Sequence, residues 1–106
     1  ERRKGQSSMD IAHSIRGVSI RLTDERWSHI ISTHNDMAEY YDDCLDVIER
    51  PDFVLRGDGR TLKAVKAYGR HRYLQVIYRE LSREDGFVIT AYFVRSFSRR
   101  SILWQR

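Results

Sequence analysis

The sequence predicts an α+β fold, two N-terminal helices packed on a four-stranded antiparallel sheet, and three observations carry that expectation. Apolar residues recur at helical spacing between Asp24 and Ile48. After Pro51 the period changes to two and holds to Arg95. A chain of 106 residues, 41% of them apolar, has material for one core and not for two.

Residues 1–17 are polar and aperiodic and read as a flexible arm or a remnant outside the fold, which leaves 18–106 as a single α+β domain. Val18, Ile20 and Leu22 alternate with Ser19 and Arg21 as a short lead strand. Thr23 is a good N-cap, and Asp24 and Glu25 follow it where the helix dipole favours negative charge. The first helix then runs from Asp24 to Thr33, with Trp27, Ile30 and Ile31 on its apolar side. Asn35 and Asp36 break the chain and serve as a second N-cap. Tyr40, Tyr41, Cys44, Leu45 and Ile48 form the stripe of the second helix, which ends before Pro51 because the residue preceding proline disfavours the helical region. Strands follow at Phe53 to Leu55, Leu62 to Tyr68, Arg72 to Glu80 and Phe87 to Arg95, joined in meander order by turns at 57–59, 69–72 and 82–86. The tail, with Ile102, Leu103 and Trp104, docks back on the domain or adds an edge strand.

Composition removes several function classes. The lone Cys44 excludes an internal disulfide and falls on an apolar stripe, as a core residue does. The four histidines lack the spacing of a zinc motif, so neither a metal nor a cofactor is expected. Gly57-Asp58-Gly59 lacks the lysine and the length of a phosphate-cradling loop. No apolar run approaches the roughly 20 residues that span a bilayer, and no secretory leader is present, so a cytoplasmic setting without a membrane partner is expected. The net charge of +4 suits a polyanion. Acidic residues crowd Asp36 to Asp52, whereas the second half is rich in arginine, which marks the sheet as the face for nucleic acid.

Alternation sorts the last two strands. Phe87, Ile89, Ala91 and Phe93 are wholly apolar and are expected to face the helices, turning Val88, Thr90 and Tyr92 outward. On the neighbouring strand Leu74, Val76 and Tyr78 face inward, and Gln75, Ile77 and Arg79 share the open face. A guanidinium, a hydroxyl and a phenol on adjacent strands suit a phosphodiester, because they bind oxyanions, donate and stack. His34, at the end of the first helix, reaches the rim of that face as a proton carrier. Lys66, Arg70, His71 and Arg72 are expected to hold flanking phosphates, with His71 as a second proton shuttle. Each residue also has a plain structural reading: Arg79 as a surface cation, Thr90 as a strand former, Tyr92 as a cross-strand partner and His34 as a helix cap.

Four segments in order, L-T-D-E-R-W-S-H-I-I-S-T-H-N-D-M (Leu22 to Met37), I-E-R-P-D-F-V (Ile48 to Val54), Y-L-Q-V-I-Y-R (Tyr73 to Arg79) and G-F-V-I-T-A-Y (Gly86 to Tyr92), resemble phage and mobile-element nucleases of the barnase/EndoU/colicin/RelE superfamily. The resemblance implies helices on one side of a four-stranded antiparallel sheet and RNA cleavage on the other. It implies catalytic roles for His34, Arg79 and Thr90, with Tyr92 beside them. Asn35 stands where the family has proline, and Arg79 where lysine is usual, so Arg79 acts as charge and not as a proton donor. The expected activity is metal-independent RNA cleavage by 2′-OH transesterification, of the toxin type. Expected partners are RNA, such as tRNA or ribosome-associated mRNA, and an antitoxin or immunity protein. The rival expectations are a non-catalytic RNA- or DNA-binding module and a partner-binding domain on the same basic face.

Overall fold

The structure, a computed structural model, describes residues 9–106. The part of the expected arm at 1–8 lies outside the described residues. The strands number seven, not four: β1 (Met9–His13), β2 (Ser19–Thr23), β3 (Phe53–Arg56), β4 (Thr61–Gly69), β5 (Arg72–Glu80), β6 (Gly86–Val94) and β7 (Ile102–Gln105). They form one sheet in the order β1-β2-β6-β5-β4-β3-β7. All neighbours are antiparallel except β2 and β6, which run parallel over two residue pairs. The expected four-stranded antiparallel sheet is therefore the middle of a wider, mixed one.

Each added strand has a physical reason. β1 pairs with β2 across a turn in which Gly17 takes φ 81°, a region open to glycine without steric penalty. Its inward residues are Asp10 and Ala12: Ala12 is buried, and Asp10 accepts a 2.7 Å hydrogen bond from the Tyr41 hydroxyl. With one polar and one very small residue facing in, β1 carries no apolar alternation, so residues 9–13 read as arm. β7 hydrogen-bonds to β3 and covers its edge, as the tail's apolar cluster suggested. At the parallel junction Gly86 lies so close to β2 that an added Cβ would sit 2.4 Å from the Arg79 carbonyl and 2.7 Å from the Ile20 side chain.

Two helices pack on one face. In α1 (Asp24–Thr33) the Thr23 hydroxyl caps the Arg26 N–H at 3.0 Å, and Trp27 and Ile30 are buried. Asn35 and Asp36 do not cap α2. They open a 3-10 turn (Asn35–Met37) that buries Met37, and α2 (Tyr41–Glu49) begins without a side-chain cap. Tyr41, Cys44, Val47 and Ile48 of α2 meet Ala64, Leu74, Val76, Tyr78 and Ala91 of the sheet. Trp27 and Tyr41 contact edge to face at 5.1 Å. Full burial of each large side chain in this layer contributes about 1.5–3 kcal/mol.

The opposite face is shaped by two irregularities. First, β5 and β6 slip register: Ile77 lies opposite Thr90, but Tyr78 lies opposite Val88, so Ile89 is the extra residue of a β-bulge. The bulge inverts the phase of β6 on its N-terminal side. Val88 is buried against Tyr78, and Phe87 faces outward beside Arg79, the reverse of the alternation expected for those two positions. Ala91, Thr90 and Tyr92, beyond the bulge, keep their expected sides. Second, the crossover from β6 to β7 passes over the open face. Phe97 packs on Phe53 at 5.0 Å and on Tyr73 at 5.1 Å, spanning from β3 to β5 across β4. Beneath it Val65 and Gln75 are 0% and 3% exposed, so Gln75 belongs to a small second core and not to an exposed surface.

Candidate functional site

The uncovered remainder of that face lies at the seam between α1 and β6. Because β2 pairs only with Gly86 and Phe87 of β6, the rest of that edge is left to α1. Arg26, Ile30 and His34 recur every four residues along one side of the helix and follow the edge. The Arg26 Nη1 donates to the carbonyl of Ile89, the bulge residue, at 3.3 Å. Ile30 enters the core. His34 closes the helix, its backbone N–H donating to the Ile30 carbonyl at 2.7 Å, and its ring lies tilted by 31° against Tyr92 with centroids 4.9 Å apart.

Tyr92 is opposite Gln75 and Thr90 opposite Ile77, so their side chains share the open face, about 7 Å apart along the strand. Arg79 falls one row further, opposite Phe87 and Thr61, about 7 Å from the Thr90 row and about 13 Å from the Tyr92 row. Lys63, opposite Ile77 on β4, faces the same way. His34, Thr90, Tyr92 and Arg79 are all half-buried. Arg21 pairs with Asp85 at 3.1 Å, whereas among the described residues neither Arg79 nor Lys63 has an ion-pair partner. Arg79 thus lies one row from Thr90, and Lys63 lies in the Thr90 row on the far side of Ile77, two cations uncompensated among the described residues and of a kind that binds phosphate.

The structure groups His34, Tyr92 and Thr90, with Arg79 next to them. It separates the other expected residues. Lys66 and Arg72 share the phase of Ala64 and Leu74 and therefore project to the helix side. Lys66 reaches the Asp46 carboxylate at 3.1 Å. Arg72 lies over the Phe93 ring at 4.0 Å and donates to the Tyr40 hydroxyl at 3.2 Å. Both cations are engaged in packing and pairing on the helix side, so the structure does not bring them together with His34, Thr90 and Tyr92. Arg70 and His71 are exposed in the β4–β5 turn, where His71 takes φ 58°. That turn lies beyond the Tyr73 row, away from Thr90 and Arg79.

Arg26, Lys63 and Phe87 were not picked out by sequence reasoning. The ladder Arg26, Ile30, His34 was a legible signal for the first. Lys63 was one of many second-half cations, and Phe87 was hidden by the bulge.

Other reactive groups lie elsewhere. Burial, with Asp43 beside it, pushes the Cys44 thiol up to about 12, which removes it as a nucleophile. Glu80, only 10% exposed, accepts from the Ser14 hydroxyl at 2.8 Å and pairs with Arg16 at 3.4 Å, tying the β1–β2 turn to β5. Among the described residues no three histidine, cysteine or carboxylate side chains gather as a metal group. No helix of the described residues is long and apolar enough to cross a membrane. Comparison with protein-family models, curated proteins and solved structures finds no match to this chain.

Proposed function

We propose that this domain is a metal-independent endoribonuclease of the toxin type. The observation that carries the reading is the seating of the His34 ring against Tyr92 with Thr90 next on the same strand face. A proton carrier, a phenol and a hydroxyl thus share one open site beside the unpaired cations Arg79 and Lys63.

In this reading the ribose 2′-oxygen attacks the adjacent phosphorus as its proton passes to His34. The new O2′–P bond gives a 2′,3′-cyclic phosphate, and the P–O5′ bond breaks. The departing 5′-oxygen takes a proton from the Tyr92 hydroxyl, which His34 beside it replenishes. Thr90 donates to a non-bridging oxygen, and Arg79 stabilises the charge that grows there. Arg26, fixed on the Ile89 carbonyl, adds a guanidinium at the seam.

The test is incubation of the purified chain with total RNA in EDTA, followed by analysis of the new ends. Cyclic phosphate and 5′-hydroxyl ends are expected. Intact RNA, or cleavage only after a divalent cation is added, overturns the reading.

A further inference from the structure

The bulge at Ile89 has an outcome that the chemistry of cleavage does not require. Strict alternation would turn Phe87 inward and Val88 outward, yet the register slip sends the ring out and the smaller side chain into the core. Phe87 is left half-buried between two cations in one cross-strand row: Arg21 on β2 and Arg79 on β5 are both in register with it. The row ends at Thr61 on β4. Arg21 is already paired with Asp85, whereas Arg79, and Lys63 in the next row, have no carboxylate among the described residues. No ring of the described residues stacks on Phe87, in contrast to Tyr40, Tyr68, Phe93, Phe53, Tyr73 and Phe97, which are all engaged.

We infer that Phe87 is a stacking platform for an unpaired base, so that the substrate class of this site is single-stranded RNA. The inference rests on the nuclease reading for the position of the scissile phosphate, and adds to it a subsite and a strand requirement. An aromatic ring on an open sheet face, with cations beside it for the adjoining phosphates, is how proteins hold splayed nucleotides without reading a duplex. Three rows lie along β6: Tyr92 with His34, then Thr90 with Lys63 near, then Phe87 with Arg79, about 7 Å from row to row. A base on Phe87 would set the adjoining phosphate at Thr90, with Tyr92 and His34 beyond it. A duplex keeps its bases stacked on one another and offers Phe87 no base face. It is also kept from lying flat by the crossover, because Phe97 and Arg99 rise over β3.

The test uses the full chain and a mixed-sequence ten-nucleotide RNA that is 2′-O-methylated throughout, so that binding is read without cleavage. Fluorescence anisotropy is run on this strand and on its duplex with the complement. Wild type is expected to bind the single strand at least ten-fold tighter than the duplex. Phe87→Leu, which keeps an aliphatic side chain over the sheet, is expected to weaken single-strand binding roughly ten-fold with the salt dependence unchanged. Phe87→Tyr, which keeps the ring, is expected to stay within about two-fold, and thermal melting of each variant verifies the fold. Equal affinity for strand and duplex, or wild-type binding by Phe87→Leu, overturns the inference, the latter pointing to a face that takes a protein partner. The two readings fail separately. Ring-dependent binding without any cleavage sinks the nuclease proposal alone, and cleavage indifferent to Phe87→Leu sinks the platform alone.

Discussion

His34 at the end of α1 meets the sheet at the Tyr92 row, about 13 Å by strand spacing from the Arg79 row, and the proposed mechanism gives the two different work. In that mechanism His34 moves a proton. His34→Gln is therefore expected to slow RNA cleavage 100-fold or more, a scale usual for a positioned acid or base, while the affinity for a non-cleavable strand stays within about two-fold. In the same mechanism Arg79 supplies charge to the transition state. Arg79→Ala is expected to raise the cleavage barrier by about 2–4 kcal/mol in single-turnover kinetics, a loss larger than the accompanying fall in binding. Arg79→Lys keeps the charge and is expected to retain most activity; loss of activity with the fold intact would show that the planar fork is what matters. Cys44 illustrates the opposite case, a reactive side chain disarmed by its surroundings. Burial beneath α2 and the neighbouring Asp43 carboxylate raise its thiol to about 12, so iodoacetamide at pH 8 is expected to leave it unmodified in the folded chain and to label it in urea, as mass spectrometry would report.

At the scale of elements, the tie between α2 and β4 is electrostatic and sits on the face away from the site. Asp46 accepts from both Lys66 and Arg50. Burial alone raises its pKa, but hydrogen bonds from Lys66 and Arg50 and the charges of both outweigh this and hold the carboxyl below the usual carboxylate range. A group whose pKa is lower folded than unfolded stabilises the fold above its unfolded value and loses that contribution as pH falls through the folded value. Asp46→Asn is accordingly expected to lower stability by about 1 kcal/mol near neutrality, with the difference from wild type shrinking below about pH 4 in urea titrations, and to leave cleavage unchanged. How far elements were legible depended on whether their signal was local. α1 was readable from Thr23, Trp27 and Ile30, because cap and stripe are contiguous. β1 was not, since Asp10 and Ala12 are its inward residues, and its partner in the pattern is Tyr41, far along the chain. The N-terminal half of β6 was misassigned because a bulge adds one residue without altering composition. Thr90 and Tyr92 were placed correctly relative to each other because both lie beyond it. Lys66 and Arg72 show the limit for site residues: their phase with Ala64 and Leu74 was available, but the Asp46 and Phe93 that engage them were visible only in three dimensions.

For the whole molecule, the sheet adds β1, β2 and β7 to the four expected strands, with a parallel junction between β2 and β6. β7 shields Val54 and Leu55 of β3. Removing residues 102–106 is expected to lower the melting temperature and to produce concentration-dependent aggregation, detectable by light scattering, because β3 becomes an open apolar edge. An unchanged, monomeric variant would show that β7 is dispensable. The parallel pairing of β2 with β6 has a wider consequence. His34 and Tyr92 are far apart in sequence, and α1 follows directly on β2, whose Ile20 lies beside Gly86. The β4–β5–β6 meander consists of sequence neighbours and forms by local encounters, whereas this junction must await a search over most of the chain. Assembly of the seam is thus expected to be the late event, after the central sheet has formed. The candidate site would therefore be complete only when the last contact has formed.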